Sequence, residues 1–381
     1  MRRDIKRAVL GALTLATVAA CSDGASPEAE QKTAKQGLLD GPDFVVTVLS
    51  APPSALPGSS FMTSLRVCNH GTWAGGTEVA LVLSQDSDIS LSMDGQAGSI
   101  YAGYLAPGAC ETHSTLLYTP PQGTWFLGAI ADPYGSEPEL DEGNNTRLGG
   151  PITIGYGPDF VVTGVKAPAS SLPGGNLTAD VTVCNQGTEP DGTAVALYLS
   201  ADALPPQPEQ PVAAWAAVGF IFPGQCTTVP AYGNAILPPP GTEGAYHLGA
   251  RVDPDNHRLE LREDNNTHVG AVMGVGHRAD FVVTNVQAPA SLLPGQSFTA
   301  QVTVCNQGTQ PDSADVALVL SADAIIDPGT GPEPTEDVLL GQRPAGDLFP
   351  GQCVTLPMFV NATPPPPGTE GAYRLGAVWT R

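Results

Sequence analysis

A cysteine-containing motif occurs three times in this chain and constrains its fold more than any other feature. VTVCNQGT stands at residues 181–188 and again at 302–309, and LRVCNHGT stands at 65–72. The segment DFVVT begins at Asp43, Asp159 and Asp280, which gives periods of 116 and 121 residues. These periods are far longer than the roughly 20 to 50 residues of a solenoid repeat, so we predict three modules with separate cores.

Alternation of apolar and polar residues predicts β-strands within each period. In the third copy Phe298, Ala300, Val302 and Val304 alternate with polar residues. Pro-Gly turns separate such segments, and the 44 glycines and 38 prolines favour short strands over helices. The sequence therefore predicts an all-β fold of three tandem immunoglobulin-like β-sandwich modules. We place them at residues 41–155, 156–276 and 277–381.

The third module is predicted to be C-terminally incomplete. Aligned on the second copy, it stops at Arg381 opposite Pro254, so its acidic loop and last strand have no counterpart. Such a sandwich would expose an open sheet edge. We interpret this as a truncated gene product, with completion by a strand from a partner as the alternative.

Six of the seven cysteines are predicted to form one disulfide in each module. The alternation places both cysteines of a module on the outer face, one closing a strand and one opening another, where they can meet across an antiparallel pair. A zinc site is the rival interpretation, but two cysteines per module without a shared histidine fall short of four ligands. The repeats select the pairs Cys68 with Cys110, Cys184 with Cys226, and Cys305 with Cys353.

The seventh cysteine, Cys21, follows a secretory signal. Basic MRRDIKR precedes the apolar run AVLGALTLATVAA, which is too short to span a membrane. The ending VAAC resembles a bacterial lipobox, which implies cleavage and acylation at Cys21 and stable attachment to a membrane through the lipid. We therefore predict a lipoprotein signal peptide at 1–20, a flexible linker at 21–40, and a lipid-anchored location in the bacterial cell envelope, at the outer membrane. Exposure on the periplasmic face or on the surface stays open.

The charge of the mature chain excludes one class of partner. The whole chain carries 16 basic and 38 acidic residues. Residues 1–20 hold four of the basic residues and one acidic residue, which leaves 12 against 37, a net charge of −25. A surface of this sign repels nucleic acid, so we expect no nucleic-acid partner.

The ordered motifs resemble the CARDB module, a cell-adhesion-related domain found in bacteria. The order is DFVVT, Pro-Gly, Cys-Asn-x-Gly, Leu-Ser-x-Asp, Pro-Gly-x-Cys, Gly-x-Tyr-x-Leu and Asp-Pro...Glu-x-x-Glu-x-Asn-Asn. The resemblance covers almost everything from residue 41 onward. It implies an extracellular, immunoglobulin-like sandwich without catalytic residues, together with a tendency towards adhesion.

Two loops are rich in acidic residues and are calcium candidates. Calcium prefers six to eight oxygen ligands, and one loop repeats its carboxylates and amides at the same offsets in the first two copies. A solvated turn is the favoured interpretation of this loop and calcium the alternative. Its residues are Asp132, Glu139, Glu142 and Asn144, and then Asp253, Glu260, Glu263 and Asn265. The other loop differs between copies, which favours a variable surface loop, and holds Asp86, Asp88, Asp94, Asp202, Asp323 and Asp327.

Other candidate residues favour structural interpretations. The six histidines occupy unmatched positions in the three copies, and no catalytic motif is present, so we predict that the chain is not an enzyme. Trp73 and Trp215 are interpreted as core residues, with stacking on a sugar ring as the alternative. Asn-x-Gly-Thr is interpreted as a turn that uses positive φ, with a ligand contact as the alternative. The Pro-rich runs at 237–240 and 364–367 are interpreted as stiff connections.

Together these features predict an adhesion or ligand-binding protein without a required cofactor. Its expected partners are the membrane, through the lipid, and an envelope polysaccharide or surface protein. The alternatives are a passive spacer and a hydrolase with an unfamiliar site. Sequence alone does not identify the ligand, because binding loops on such sandwiches leave no motif.

Overall fold

Strands dominate the computed structural model of this chain. It describes residues 40–380 except 208–209, 235–242, 294, 322–325, 327–336 and 362–372. Within these residues α1 (Leu91–Asp94) is the one helix, and the predicted all-β fold is confirmed. The predictions for the signal peptide, Cys21, the linker up to residue 39, both Pro-rich runs, Asp323 and Asp327 lie outside the described residues.

The first module is a sandwich of two sheets. One sheet has the strand order β1-β3-β6 and the other β2-β8-β7-β4-β5. The core lies between them and includes Phe44, Leu65, Leu81 and Ile152. The strands are β1 (Phe44–Ser50), β2 (Ser54–Ala55), β3 (Ser60–Asn69), β4 (Gly75–Ser84), β5 (Gly98–Leu105), β6 (Cys110–Tyr118), β7 (Gly123–Ala131) and β8 (Thr146–Ile154).

The second module repeats this arrangement with one sheet that closes around its core. The strand order is β10-β16-β15-β12-β13-β14-β11-β9. Phe160, Val181, Leu197 and Leu248 pack together in the core, so the two ends of the sheet face each other. The strands are β9 (Phe160–Lys166), β10 (Ser170–Ser171), β11 (Asn176–Asn185), β12 (Asp191–Ser200), β13 (Val212–Ile221), β14 (Cys226–Asn234), β15 (Gly244–Val252) and β16 (Thr267–Val275).

The third module has two three-stranded sheets in its described part. Their orders are β17-β18-β21 and β20-β19-β22. Phe281, Val302, Val316 and Met358 contribute to its core. The strands are β17 (Phe281–Gln287), β18 (Phe298–Asn306), β19 (Asp312–Ser321), β20 (Val338–Leu348), β21 (Cys353–Val360) and β22 (Arg374–Thr380).

One glycine explains why the second module has a continuous sheet. β13 and β14 are joined at Trp215 and Tyr232, and a Cβ atom on the next residue, Gly233, would lie 1.8 Å from the carbonyl oxygen of Ala213. Leu117 stands at the position of Gly233 in the first module, where β5 and β6 belong to separate sheets. A side chain at this position therefore keeps the two strands apart, and its absence lets them join.

The glycine of the repeated Leu-Gly-Ala motif lies beneath a loop. After β12 the chain folds back over the outer face of the sheet, where a Cβ atom on Gly249 would lie 2.6 Å from Cγ of Pro206. In the first module Ile89 covers Gly128, where a Cβ atom would lie 2.3 Å from Cγ2 of Ile89. The motif thus encodes a strand surface that accepts an apolar loop residue.

The one helix in the described residues, α1, lacks the length and hydropathy that a membrane crossing requires.

Candidate functional site

The segment that enters each module is held by side chains of the repeated motifs. In the second module this segment is 157–160, which ends at the first residue of β9. Its first and third backbone N–H groups donate to Thr188 Oγ1 (3.2 Å) and Asn185 Oδ1 (3.1 Å). Pro158 has no N–H group, and the fourth N–H donates to Glu260 Oε2. Side chains therefore satisfy every backbone donor of the segment, and we call Asn185, Thr188 and Glu260 the entry clasp.

The clasp recurs in the other modules. In the first module the N–H groups of residues 41, 43 and 44 donate to Thr72, Asn69 and Glu139, respectively. In the third module the N–H groups of residues 278 and 280 donate to Thr309 and Asn306. The recurrence of Cys-Asn-x-Gly-Thr thus has a structural reason, because its Asn and Thr fasten the start of each sandwich.

The clasp asparagine connects four backbone groups. Asn185 is fully buried, and its Nδ2 donates to the carbonyl oxygens of Glu189 (2.8 Å) and Ile221 (2.9 Å). Its Oδ1 accepts a second N–H, from Gly187 (2.9 Å). Neither Asn185 nor Gly187 has positive φ, so the explanation of the turn by positive φ is wrong. Gly187 is required because a Cβ atom would lie 2.4 Å from the carbonyl oxygen of Gly157.

The repeated acidic loop begins with an aspartate that shapes its turn. Asp132 has φ of 39°, and its carboxylate accepts hydrogen bonds from the N–H groups of Ser136 (3.0 Å) and Glu137 (2.9 Å). Asp253 has φ of 46° and accepts from the N–H of Arg258 (2.8 Å). These hydrogen bonds compensate the strain of the left-handed backbone in both modules.

The glutamates at the centre of the loop are buried. Glu139 is 3 % exposed and Glu260 is 8 % exposed. Besides the entry segment, they accept hydrogen bonds from Asn145 Nδ2 and Asn266 Nδ2, both at 2.9 Å. Burial raises the pKa of Glu139 to about 7 and that of Glu260 to about 8, although these hydrogen bonds oppose the rise.

The remaining loop residues also bind within the module. Asn144 Nδ2 donates to Asp43 Oδ1 (2.9 Å), and Asn265 Nδ2 donates to Asp159 Oδ1 (2.8 Å). Glu142 and Glu263 accept from the N–H groups of Glu139 (3.2 Å) and Glu260 (3.0 Å). The structure therefore brings together all eight predicted residues, four in each of two loops, as part of the closure of each module.

Two observations bear on calcium in these loops. Among the described residues, no three His, Cys, Asp or Glu side chains are arranged to hold a metal ion. Against this, several buried amide and carboxylate oxygens of the loops and of the entry segment have no partner within the described chain, and these hard oxygens are ligands that calcium accepts. They are Asn144 Oδ1, Asn145 Oδ1, Asp159 Oδ2, Asn265 Oδ1 and Asn266 Oδ1. Asp132, Glu139, Asp253 and Glu260 are buried, so the favoured interpretation of this loop as a solvated turn is wrong at these residues, and calcium binding, the alternative, stays a prediction.

Three residues of this network in the second module were not among the predicted site residues. Asp159, the first residue of DFVVT, accepts a hydrogen bond from Asn265 of the loop. Asn266, the second residue of the Asn-Asn pair, donates a hydrogen bond to Glu260. Phe160 contributes only its backbone. The signal for the two side chains was present, because Asp and Asn-Asn recur at fixed positions in both copies.

The second acidic loop differs in its contacts. Asp86 Oδ1 accepts from the N–H of Asp88 (2.9 Å), and Asp94 Oδ2 accepts from the N–H of Ser90 (2.9 Å). In the second module Asp202 binds the hydroxyl of Ser200 (2.7 Å). These are local contacts of exposed loops, and they contribute no shared site.

The structure contains the three predicted disulfides. The bridges are Cys68–Cys110, Cys184–Cys226 and Cys305–Cys353, and each joins residues directly opposite on neighbouring antiparallel strands. The first cysteine of each pair is shielded, at 2 % exposure for Cys68, and the threonine of DFVVT covers it, with Thr47 Oγ1 3.5 Å from Cys68 Sγ. The sulfur of Cys68 is therefore shielded from solvent although the residue lies on the outer face of its strand.

The two tryptophans assigned to the core are exposed. Trp73 is 60 % exposed and Trp215 is 50 % exposed, so the core interpretation is wrong for both. Trp73 lies in the turn after the clasp asparagine of the first module, and Trp215 lies on the outer face of β13. Sequence periodicity did not predict the exposure of these two tryptophans, because each is the only large residue among small or polar neighbours.

A large apolar side chain is exposed at the same place in all three modules. It stands six residues after the second cysteine, on the outer face of β6, β14 and β21. These side chains are Leu116 (59 % exposed), Tyr232 (63 %) and Phe359 (67 %). Exposed apolar residues repeated at one register position mark a candidate contact surface.

The junctions between modules have polar contacts and one cavity. Ser54 Oγ donates to the carbonyl oxygen of Gln186 (2.5 Å) between the first and second modules. At the next junction His277 Nδ1 lies 2.9 Å from Glu243 Oε1. A cavity of about 430 Å³ opens there between β10 and the entry segment of the third module, and Arg278 lies in its wall.

Comparisons with known proteins give one family and several similar structures. The CARDB family model matches residues 41–148 and 157–270. No curated protein matches the chain. The crystal structure of a CARDB domain from Pyrococcus furiosus in complex with di-metal ions is 17% identical, with coverage of 31% of this chain and 96% of that chain and a TM-score of 0.25.

Two enzymes also resemble parts of the chain. Red sea bream transglutaminase is 15% identical, with coverage of 66% of this chain and 34% of that chain and a TM-score of 0.31. A β-glucosidase from Listeria innocua is 13% identical, with coverage of 30% of this chain and 16% of that chain and a TM-score of 0.22. Such distant likenesses carry no conclusion about activity.

Proposed function

This chain belongs to the CARDB family, and we propose that it is a non-catalytic adhesion or ligand-binding protein displayed from the bacterial cell envelope. CARDB is a cell-adhesion-related domain of bacterial extracellular type, and domains of this fold are typically non-catalytic. The proposal adds a lipid anchor on Cys21 and a ligand on the outer faces of the sandwiches.

The repeated exposed side chain is the observation that carries the proposal. Leu116, Tyr232 and Phe359 occupy one register position on three outer faces. A passive spacer has no need of them, because an exposed apolar side chain forgoes roughly 25 cal/mol for each Å² that burial would remove from water. A protein that binds its ligand through these faces gains that free energy on binding.

The lipid anchor is supported by the N-terminal sequence. Cys21 follows a basic segment and a short apolar run that ends in small residues. Substitution Cys21→Ala is expected to move the protein from the membrane fraction to the soluble fraction, with loss of the acylated N-terminal peptide in mass spectrometry. Substitution Ser22→Ala is the matched control. A membrane-bound Cys21→Ala protein would contradict the anchor.

Binding to cells tests the adhesive function. The mature chain without its lipid is added to whole cells and to envelope polysaccharides, in calcium and in chelator. We expect saturable binding that falls when Leu116, Tyr232 and Phe359 are all replaced by Ser. A control with Met93, Leu259 and Leu293 replaced by Ser changes three side chains that are 85, 90 and 75 % exposed elsewhere on the molecule. Absence of saturable binding in every condition would favour the spacer.

A further inference from the structure

A row of three exposed side chains crosses the outer face of the second module. Thr178 on β11 lies opposite Tyr232 on β14, and Tyr232 lies opposite Trp215 on β13. Directly opposite residues of antiparallel strands point to the same face, about 5 Å apart. Trp215 is 50 % exposed and Tyr232 is 63 % exposed. We call these three residues the aromatic row.

The aromatic row exists because β13 and β14 join. Gly233 allows this approach, and Leu117 and Val360 stand at its position in the other modules. The counterpart of Trp215, opposite the same alanine of the neighbouring strand, is Ser99 in the first module and Gln342 in the third. Among the described residues, the second module alone therefore combines two aromatic residues with the strand pairing that holds them side by side.

Polar groups flank the aromatic row on the same face. Towards the disulfide, the next pair that points to the same face is Asp180 with Pro230. On the other side of Asp180 lies Lys166 of β9. The next outward pair, Thr182 and Thr228, is joined through its hydroxyl groups at 2.9 Å. The apolar strip is thus narrow, with hydroxyl, carboxylate and ammonium groups beside it.

We propose that the aromatic row binds a neutral glycan chain, with pyranose rings stacked on Trp215 and Tyr232 and sugar hydroxyls hydrogen-bonded to Thr178 and Asp180. An aromatic face with adjacent polar groups matches the two surfaces of a sugar, one lined by C–H groups and one by hydroxyls. This inference rests on the proposed adhesive function and names its ligand class.

Charge and width select this ligand over others. The mature chain carries a net charge of −25, with Asp180 beside the aromatic row, and this disfavours acidic polysaccharides. A stable protein partner needs roughly 800 Å² of buried surface on each side, with an apolar centre. Here the polar side chains of Asp180, Thr182 and Thr228 lie beyond the row, which suits a linear chain along the row better than a broad protein surface.

Oligosaccharide binding by the full mature chain tests the proposal. Cellohexaose, mannohexaose and chitohexaose are titrated separately, with calorimetry and tryptophan fluorescence as readouts. We expect at least one to bind and to shift the emission to the blue. Trp215→Ala and Tyr232→Ala should each weaken binding by roughly tenfold or more, the loss typical of an aromatic anchor. Thermal melts establish that both variants fold.

Matched controls are the exposed aromatic residues outside the row. Tyr104→Ala changes an exposed aromatic residue of the first module, and Trp73→Ala removes another exposed tryptophan, so neither should alter binding. Undiminished binding by folded Trp215→Ala and Tyr232→Ala variants would overturn the proposal. Failure of all three sugars to bind would also overturn it. If cell binding persists in that case, the adhesive function stands without this ligand, and if cell binding is absent too, both fall.

Discussion

At the residue scale, one buried asparagine in each module satisfies four backbone groups. Asn185 does so between the entry segment, its own turn and the end of β13, and Asn69 and Asn306 repeat the arrangement. A backbone group left buried without a partner costs about 1–3 kcal/mol. The asparagine is therefore a structural residue, and its repetition carries no information about a ligand.

Replacement of this residue should destabilise its module strongly. Asn185→Ala leaves two N–H groups and two carbonyl groups without their partner, so we expect a loss of roughly 3 kcal/mol or more in the free energy of unfolding. Hydrogen exchange of peptides from the second module measures the loss locally. The control Glu189→Ala removes only an exposed side chain. Equal exchange in the two variants would contradict the role of the asparagine.

The buried glutamates should make stability depend on pH. The pKa values of Glu139 and Glu260 rise from 4.5 to about 7 and about 8 on burial, so the folded state binds more protons than the unfolded state between these values. Stability should therefore increase as the pH falls from 8 towards 4.5, and decrease as the pH rises through 7 and 8. Urea midpoints across this range measure the slope.

The isosteric variant provides the test of this assignment. In Glu260→Gln the amide oxygen can still accept from the entry segment, and a rotated Asn266 can offer its unpartnered Oδ1 to the new amide. We expect a flatter pH profile for this variant, whereas the exposed control Glu189→Gln should keep the original slope. An unchanged slope in Glu260→Gln would remove the glutamate from the explanation.

At the element scale, each disulfide joins two neighbouring strands of one sheet, which are β3 and β6, β11 and β14, and β18 and β21. The bridges close loops of 42, 42 and 48 residues by sequence separation. In the chain-entropy model, a loop of this length stabilises the folded state by roughly 4 kcal/mol. The double variant Cys184→Ala/Cys226→Ala should lose about that much in urea unfolding of the second module. Mass mapping of the native protein that found free thiols or links between modules would contradict the pairing.

Glycines at close contacts should differ in their tolerance of alanine. At Gly187 the new Cβ would meet backbone, 2.4 Å from the carbonyl oxygen of Gly157, whereas at Gly249 it would meet the ring of Pro206 on a loop. Gly164 has open space and no positive φ. We therefore expect the largest fall in melting temperature for Gly187→Ala, a smaller fall for Gly249→Ala, and none for Gly164→Ala. The reverse order would contradict the close contacts.

At the scale of the whole molecule, the repeated acidic loops of the first two modules serve the closure of those modules. Both oxygens of Asp132 and of the buried glutamates already accept hydrogen bonds. We therefore expect the melting temperature of the mature chain to be the same in millimolar calcium and in chelator. A higher melting temperature in calcium, lost in Asn265→Ala but kept in the control Asp88→Ala, would instead assign the unpartnered loop oxygens as calcium ligands.

Much of this molecule was predictable from periodicity and repetition. A half-buried strand alternates apolar and polar residues, so the alternation of Val302 and Val304 with polar residues indicates a strand whatever the tertiary fold is. Repetition also selected the cysteine pairs, since only one pairing scheme treats all three copies alike. The sandwich fold and the disulfides of the described chain follow from such local rules.

Contacts between distant segments decided the rest. The sequence marks Asn185 and Glu260 as repeated residues, but only the folded chain brings them to one entry segment, 75 residues apart in the sequence. Trp215 and Tyr232 stand among ordinary strand residues until Gly233 allows their strands to join. Period-two alternation reports which side of a strand is buried, whereas a shared surface or clasp depends on which strands become neighbours. That choice belongs to tertiary packing.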